Sequence, residues 1–296
     1  TLLTETIPAQ SRAEGRESFI VCAAPEHEPL FSALFSGKQL IRRQRQYFEL
    51  DARQFSSEPI LPDGYHLLPV DADLLAQTHL QNMDWLKEEM VSERPSLDDF
   101  LAKSFGVCAI HADKIVGWCL SEYNCGPRCE IGIATDEAHQ RKGLATAMAT
   151  AVIQHALSQG IHQIGWLCWA DNTPSSATAR KLGFQLIAEM PAFPTFFDDV
   201  IHFGVQGNLC FSAGDFEQAV DWYERAVAAG AAPVWVQWNA ACANGRLGRE
   251  TAVIHHLQEA IAAGFDDWER LHNSPHLAAI RETAVWQIFI KQMGHG

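Results

Sequence analysis

Gln140-Arg141-Lys142-Gly143-Leu144-Ala145 stands between an apolar alternating run, Glu130 to Thr135, and a helix-forming run, Ala145 to Leu157. Strand, short loop and helix in that order leave the first N–H groups of the helix without partners inside it. Those donors, and the positive end of the helix dipole, suit a phosphate. Gly143 has no Cβ and lets the backbone approach closely. Arg141 and Lys142 add positive charge beside the loop. A glycine after a strand is also an ordinary turn, so the hexapeptide alone does not choose between the two. Further on, Asn172-Thr173-Pro174-Ser175 leads into Ala179-Arg180-Lys181-Leu182-Gly183-Phe184. The asparagine suits a helix start and the glycine a helix end.

Two such motifs in this order, joined by a helix and a strand, resemble the GNAT N-acetyltransferase superfamily. Its acetyl-CoA pyrophosphate loop reads Gln/Arg-x-x-Gly-x-Gly/Ala, and Gln140, Gly143 and Ala145 fill those slots. The runs Glu130-Ile131-Gly132-Ile133-Ala134-Thr135 and Asn172 to Phe184 are most similar to the zwittermicin-resistance-type branch. The resemblance implies an α/β GNAT acetyltransferase fold, a mixed, splayed central sheet flanked by helices. It also implies acetyl-CoA as co-substrate and an amine as acceptor.

By the same resemblance the coenzyme arm wedges between two parallel strands that splay apart, Glu130–Thr135 and 161–169. Ile133, Ala134 and Thr135 would face the arm and the thioester, whose developing oxyanion backbone N–H groups can stabilise. Gln140, Arg141, Lys142, Gly143, Leu144 and Ala145 would hold the diphosphate, and Asn172 and Ser175 would contact the arm or cap their own helix. An ammonium must lose a proton before it attacks, and a carboxylate can take it directly or through water. Glu130 is the expected base, with Glu122 and Asp136 as alternatives. His111, His139 and His162 titrate near neutrality, but packing is the expected role of His139. The family's usual tyrosine acid falls at Ala179 here. Tyr123, a serine or water would have to replace it, or the thiolate leaves unassisted.

Composition bounds the alternatives. The 296 residues suggest two or three domains, and 47% apolar residues provide ample core material. The net charge of −14 is concentrated in residues 64–202, which carry 9 basic and 17 acidic residues. Such a surface attracts a cationic amine and repels a nucleic-acid backbone, though acidity also simply aids solubility. The 8 cysteines include no Cys-x2-Cys pair and no Cys/His set at zinc spacing, so no metal is expected. Scattered cysteines in apolar strands pack as small hydrophobes and fit a reducing, cytoplasmic setting. No apolar run reaches transmembrane length and no signal peptide is visible. The start at Thr1 leaves room for an upstream segment.

Three segments are expected. Residues 1–63 read as an N-terminal extension packing on the enzyme domain: loose to residue 16, a strand at Phe19 to Ala24, a helix at Glu28 to Phe35, and Arg42, Arg43 and Arg45 within Gln39 to Leu50. Residues 64–202 read as the acetyltransferase domain. There Tyr65 to Val70 opens as a strand and Asp71 to Met90 follows as one helix. Ser96 caps another helix. Strands at Gly106 to His111 and Lys114 to Tyr123 turn at Ala112-Asp113, and a final strand pair begins at Phe184.

From Phe203 the pattern is all-helical, with an internal offset of 34 that pairs Gly207 with Ala241, Gly214 with Gly248, Tyr223 with Leu257 and Gly230 with Gly264. This is the tetratricopeptide period, so residues 203–296 read as a tetratricopeptide-like helical domain in which Asp267 to Gln292 cap two repeats. Such a tail would bind a protein partner or a second copy. The leading reading is a cytoplasmic acetyl-CoA-dependent N-acetyltransferase acting on a small molecule or a protein. The competing one is a non-catalytic acyl-CoA-binding scaffold.

Overall fold

The computed structural model describes residues 5–34 and 40–293. The expectations that touch Phe35 and Gln39 lie outside these residues. The elements run α1 (Ile7–Ala13), β1 (Ser18–Cys22), α2 (Glu28–Leu34), β2 (Arg43–Asp51), β3 (Tyr65–Pro69), α3 (Ala72–Leu75), α4 (Met83–Met90) and α5 (Leu97–Lys103). Then come β4 (Gly106–His111), β5 (Lys114–Ser121), β6 (Arg128–Thr135), α6 (Leu144–Ser158), β7 (Gln163–Trp169), α7 (Thr173–Lys181) and β8 (Gln185–Phe196). Seven helices follow: α8 (Asp199–Ser212), α9 (Phe216–Ala229), α10 (Val234–Arg246), α11 (Glu250–Ala262), α12 (Trp268–Asn273), α13 (Ala278–Arg281) and α14 (Ala284–Gln292). Residues 7–13, expected to be loose, are helical, with Pro8 in the first turn where its missing N–H costs nothing.

The chain divides into two compact bodies, one of Cys22–Glu26 and Arg43–Ala192, the other of Thr1–Val21, His27–Arg42 and Phe193–Gly296. The first carries a mixed sheet with strand order β8-β2-β7-β6-β5-β4-β3. All neighbours are antiparallel except β6 and β7. The expected strand pair after Phe184 is a single strand, β8, and its partner within this body is β2, which is antiparallel to both β7 and β8. Part of the segment 1–63 is thus a strand of the sheet itself. Alternation along β2 explains why it fits there: Phe48 and Leu50 are buried in the core beneath α6, while Arg45, Tyr47 and Glu49 take the opposite face.

One face of the sheet packs Phe48, Cys119, Ile131, Ile164 and Trp166 against α6 and α7 through Leu144, Met148, Val152 and Ala179. The other packs Trp118 and Leu120 against Leu86 and Met90 of α4 and Phe100 of α5. The span expected as one helix, Asp71 to Met90, is two. Gln81 exchanges backbone bonds with Asp113 and Ile115, and Asn82 takes a left-handed φ of 63°, which breaks the helix before Met83. Ser96 caps α5 as expected, its Oγ accepting from the N–H of Asp99 at 3.1 Å.

In the second body α8 packs on α9, α9 on α10 and α10 on α11. Gly214 and Gly248, an offset of 34 apart, both end a helix with positive φ, 82° and 70°. Gly207 lies so close to Tyr223 that a Cβ there would sit 2.5 Å from the ring. A small residue therefore stands where α8 and α9 touch. Between the helices a polar row runs from the buried Gln237 Oε1 to His256 Nδ1 (2.8 Å) and from His256 Nε2 out to the exposed Glu224 Oε1 (3.1 Å).

Candidate active site

A cleft of about 670 Å³ opens at the N-terminus of α6. Gly143 is the N-cap residue, with φ 85° and no side-chain cap, and a Cβ built on it would meet nothing within 4 Å. The first amides of α6 therefore have no capping side chain, and the approach to them is open. Arg141 also sits in the left-handed region, at φ 61°. That conformation costs a non-glycine residue on the order of 1 kcal/mol. Gln140 braces the loop by donating from Nε2 to the carbonyl of Thr135 at 3.2 Å.

Ten of the residues expected to bind the coenzyme line this cleft: Ile133, Ala134, Thr135, Gln140, Arg141, Gly143, Leu144, Ala145, Asn172 and Ser175. Lys142 does not; its Nζ bonds the Tyr65 hydroxyl at 3.0 Å. That hydroxyl also lies 2.9 Å from His139 Nδ1, so His139 packs as expected while still lining the cleft. Burial, and then the Lys142 charge, hold its imidazole below the ordinary value. Asn172 Oδ1 accepts from the N–H of Ser175 at 3.2 Å, which makes it the N-cap of α7. The Ser175 hydroxyl accepts from the buried Trp166 indole N–H at 3.0 Å. Trp166, Thr178 and Lys181 also line the cleft and were not expected there; Thr178 and Lys181 follow Pro174 at helical spacing along α7, whereas only tertiary packing brings in Trp166.

The cleft floor is where two parallel strands part. β6 and β7 share rungs only at Arg128–Gln163, Cys129–Ile164 and Glu130–Gly165. Beyond that, Ile131–Thr135 pair only with β5, and Trp166–Trp169 only with β2. A gap with unpaired strand edges on both sides results.

On the face away from α6, the vertex of that gap is ringed by carboxylates. Glu122 donates its backbone N–H to the Glu130 carbonyl at 2.8 Å, Glu130 pairs with Gly165, and Gly165 with Glu49. The two glycines make room: a Cβ on Gly132 would lie 1.9 Å from Glu122 Oε1, and one on Gly165 would lie 2.9 Å from Glu130 Cγ. Burial pushes the Glu122 carboxyl up to about 7, reinforced by repulsion from Glu89, Glu93 and Glu130 and opposed by Arg45. Burial also raises Glu130, against the pull of Arg45. Asp136 goes the other way, because Lys114 Nζ donates to it at 2.7 Å and holds its carboxyl below the ordinary value.

Glu130 and Tyr123 line one pocket of about 170 Å³ on this face, together with Tyr47, Glu49 and Arg128. Burial and a hydrogen bond donated to Glu93 raise the Tyr123 phenol well above its ordinary value. Ala179, in the slot of the family's usual tyrosine, is fully buried in the core. Among the described residues no cluster of three metal-ligating side chains occurs, and no helix is long and apolar enough to cross a membrane.

The sequence profile of the GNAT acetyltransferase family matches residues 4–193. The chain is 29% identical over 150 residues to the uncharacterised N-acetyltransferase YdfB of Bacillus subtilis strain 168, covering 51% of this chain and 56% of that protein. It is 43% identical over 58 residues to the uncharacterised N-acetyltransferase YjdG of the same organism, covering 19% and 34%. It thus spans about half of the first of these relatives and a third of the second. Among solved structures it is similar to a GCN5-related N-acetyltransferase-like protein from Streptococcus suis, with a TM-score of 0.46 and 20% identity over 63% of this chain and 74% of that one. A tandem GNAT protein from the clavulanic acid biosynthesis pathway gives a TM-score of 0.45 and 14% identity over 64% and 66%. With its profile match covering well over half of the residues, this chain belongs to the GNAT acetyltransferase family.

Proposed function

We propose that this chain is an acetyl-CoA-dependent N-acetyltransferase that acts on an amine approaching from the sheet face opposite α6. The observation that carries the reading is the parting of β6 and β7, with an open, uncapped helix N-terminus on one side and Glu122 and Glu130 on the other. The fit to the coenzyme is local. The bare amides after Gly143, with Arg141 beside them, suit a diphosphate, and the free edge of Ile133–Thr135 suits a pantetheine arm.

When bound, acetyl-CoA supplies an acyl carbon activated as a thioester. The chain supplies position and proton handling. Glu122, pushed up to about 7, is the better base of the two carboxylates at the vertex, because a raised carboxyl is more basic towards the proton of an ammonium. Glu130 raises that basicity by its charge, and it remains the alternative acceptor of the proton. Asp136, tied to Lys114, is set aside. Tyr123 is a weak acid for the leaving thiolate, since it already donates to Glu93.

The test is direct. The full chain with acetyl-CoA and a library of amines should release free thiol, and Gly143→Asp should weaken acetyl-CoA binding more than tenfold. Wild-type affinity in a folded Gly143→Asp protein would remove the loop from the account. Binding without thiol release from any acceptor would remove the catalysis.

The helical region is read as a tetratricopeptide-like pair of hairpins for a protein partner or a second copy, supported by the offset of 34 and its turn glycines. The likeness to the zwittermicin-resistance-type branch rests on Glu130–Thr135 and Asn172 to Phe184 and names no acceptor. A cytoplasmic setting belongs to the same proposal and rests on the free thiols of all eight cysteines.

A further inference from the structure

We infer that Arg45 is a specificity-determining residue, placed to hold a carboxylate carried by the same molecule whose amine meets Glu122 and Glu130, so that the acceptor is an amino-acid-type zwitterion. The inference rests on the reading above of where the thioester and the base lie.

Arg45 is on β2, paired with Trp169 of β7 and Met190 of β8. Alternation puts its side chain on the same sheet face as Tyr47 and Glu49, and the rung from Glu49 through Gly165 to Glu130 carries that face to the vertex of the gap. Its guanidinium lies over the Trp169 ring, 4.8 Å from the centroid. The neighbour two residues back provides an internal comparison. Arg43 stacks on the same indole at 4.0 Å, but it also holds both oxygens of Asp171, at 2.7 and 2.8 Å. Arg45 has no such carboxylate among the described residues, and its Nε, like that of Arg43, is buried with no hydrogen-bond partner. One indole thus fixes two guanidinium groups, one with a carboxylate of the protein on its terminal nitrogen and one with none. A guanidinium fork matches a carboxylate with two parallel bonds.

The charges around it choose the ligand further. Glu49, Glu89, Glu93, Glu122 and Glu130 belong to or face this side of the sheet, and Arg45 is close enough that its charge acts on both Glu122 and Glu130. Arg45 and Glu49 are four residues apart on β2, about 13 Å of strand. The long Arg45 side chain narrows that span from one end and the glutamates narrow it from the other. A molecule with an ammonium and a carboxylate a few bonds apart bridges the two ends. A purely cationic acceptor would leave the Arg45 charge unanswered beside its own.

The test compares L-α-amino acids with their α-carboxamides as acceptors for the full chain, read as kcat/KM from thiol release. The wild type should prefer the free acids by tenfold or more. In Arg45→Ala that ratio should fall towards one, and Arg45→Lys should recover part of it. Arg45→Gln keeps a stem over Trp169 without the charge and carries the test if the alanine variant does not fold. A wild-type preference for carboxamides or simple amines, or an unchanged ratio in Arg45→Ala and Arg45→Gln, overturns the inference. Failure of the underlying reading looks different: Glu122→Gln and Glu130→Gln would then leave turnover intact with acids and amides alike.

Discussion

Replacing Glu122 by glutamine should make the protein more stable and less active, with both effects dependent on pH. In the folded chain this carboxyl titrates at about 7, against an ordinary value of 4.5. Between those values the folded state keeps a proton that the unfolded state has released, so stability falls as pH rises through the window. Above pH 7 the deficit is complete. About 2.5 pH units at roughly 1.4 kcal/mol each come to about 3 kcal/mol, and partial solvent access to a half-buried group brings this towards 2 kcal/mol. Glutamine has the same shape and no charge to desolvate, so it recovers most of that. At roughly 2–4 °C per kcal/mol, the melting temperature at pH 8.5 should rise by roughly 4–8 °C, and at pH 4.5 by almost nothing. Thermal melts of both proteins across that range test this. In parallel, the wild-type kcat/KM should climb through an acid limb near pH 7, and the variant should lose the limb and on the order of a hundredfold or more in rate. A stability gain equal at both pH extremes, or none at pH 8.5, would refute the claim that burial and like charge hold this carboxyl near neutrality.

Gly132→Ala puts a methyl group 1.9 Å from Glu122 Oε1, so the carboxylate must swing away; the fold should survive while the acid limb moves below pH 7 and turnover falls, and an unmoved limb would count against Glu122 as base. Ser175→Ala removes the acceptor of the Trp166 indole N–H, which is only 2% exposed. The orphaned donor should cost about 1–3 kcal/mol in denaturant melts, and no loss would mean that water reaches it. His256 is 1% exposed, and burial holds its imidazole below 6.5 despite the opposing pull of Glu224. A depressed value means stability that is full above pH 6.5 and lost on acidification. The helical region should therefore melt earlier at pH 5.5 than at pH 7.5, and His256→Gln should flatten that dependence; a wild-type melt independent of pH would contradict it.

The strand–loop–helix proposed to hold the coenzyme was legible in the sequence as local backbone, because its parts are contiguous. A strand, a glycine that must take positive φ and a helix start follow one another within residues 130–145, and local geometry makes a phosphate cradle of them. The turn at Ala112-Asp113 and the caps of α5 and α7 were legible for the same reason. For Lys142 the sequence shows a positive charge beside a loop but not that Tyr65, far off in the chain, bonds its ammonium. The insertion of β2 between β7 and β8 was invisible: periodicity says which side of a strand is apolar, not which edge it will join. The sequence, through its resemblance, favoured Glu130 over Glu122 as the base, and the proposed order is the reverse. Their ranking came from burial and from the charges that α4, β2 and the neighbouring strands bring to the vertex, and the unanswered fork of Arg45 came from the same convergence. The sequence by itself determined the residue types and the local backbone that can bind a phosphate. Only the tertiary structure decided which carboxylate sits near neutrality and which guanidinium lacks a carboxylate, because desolvation and long-range charge depend on neighbours distant in the chain.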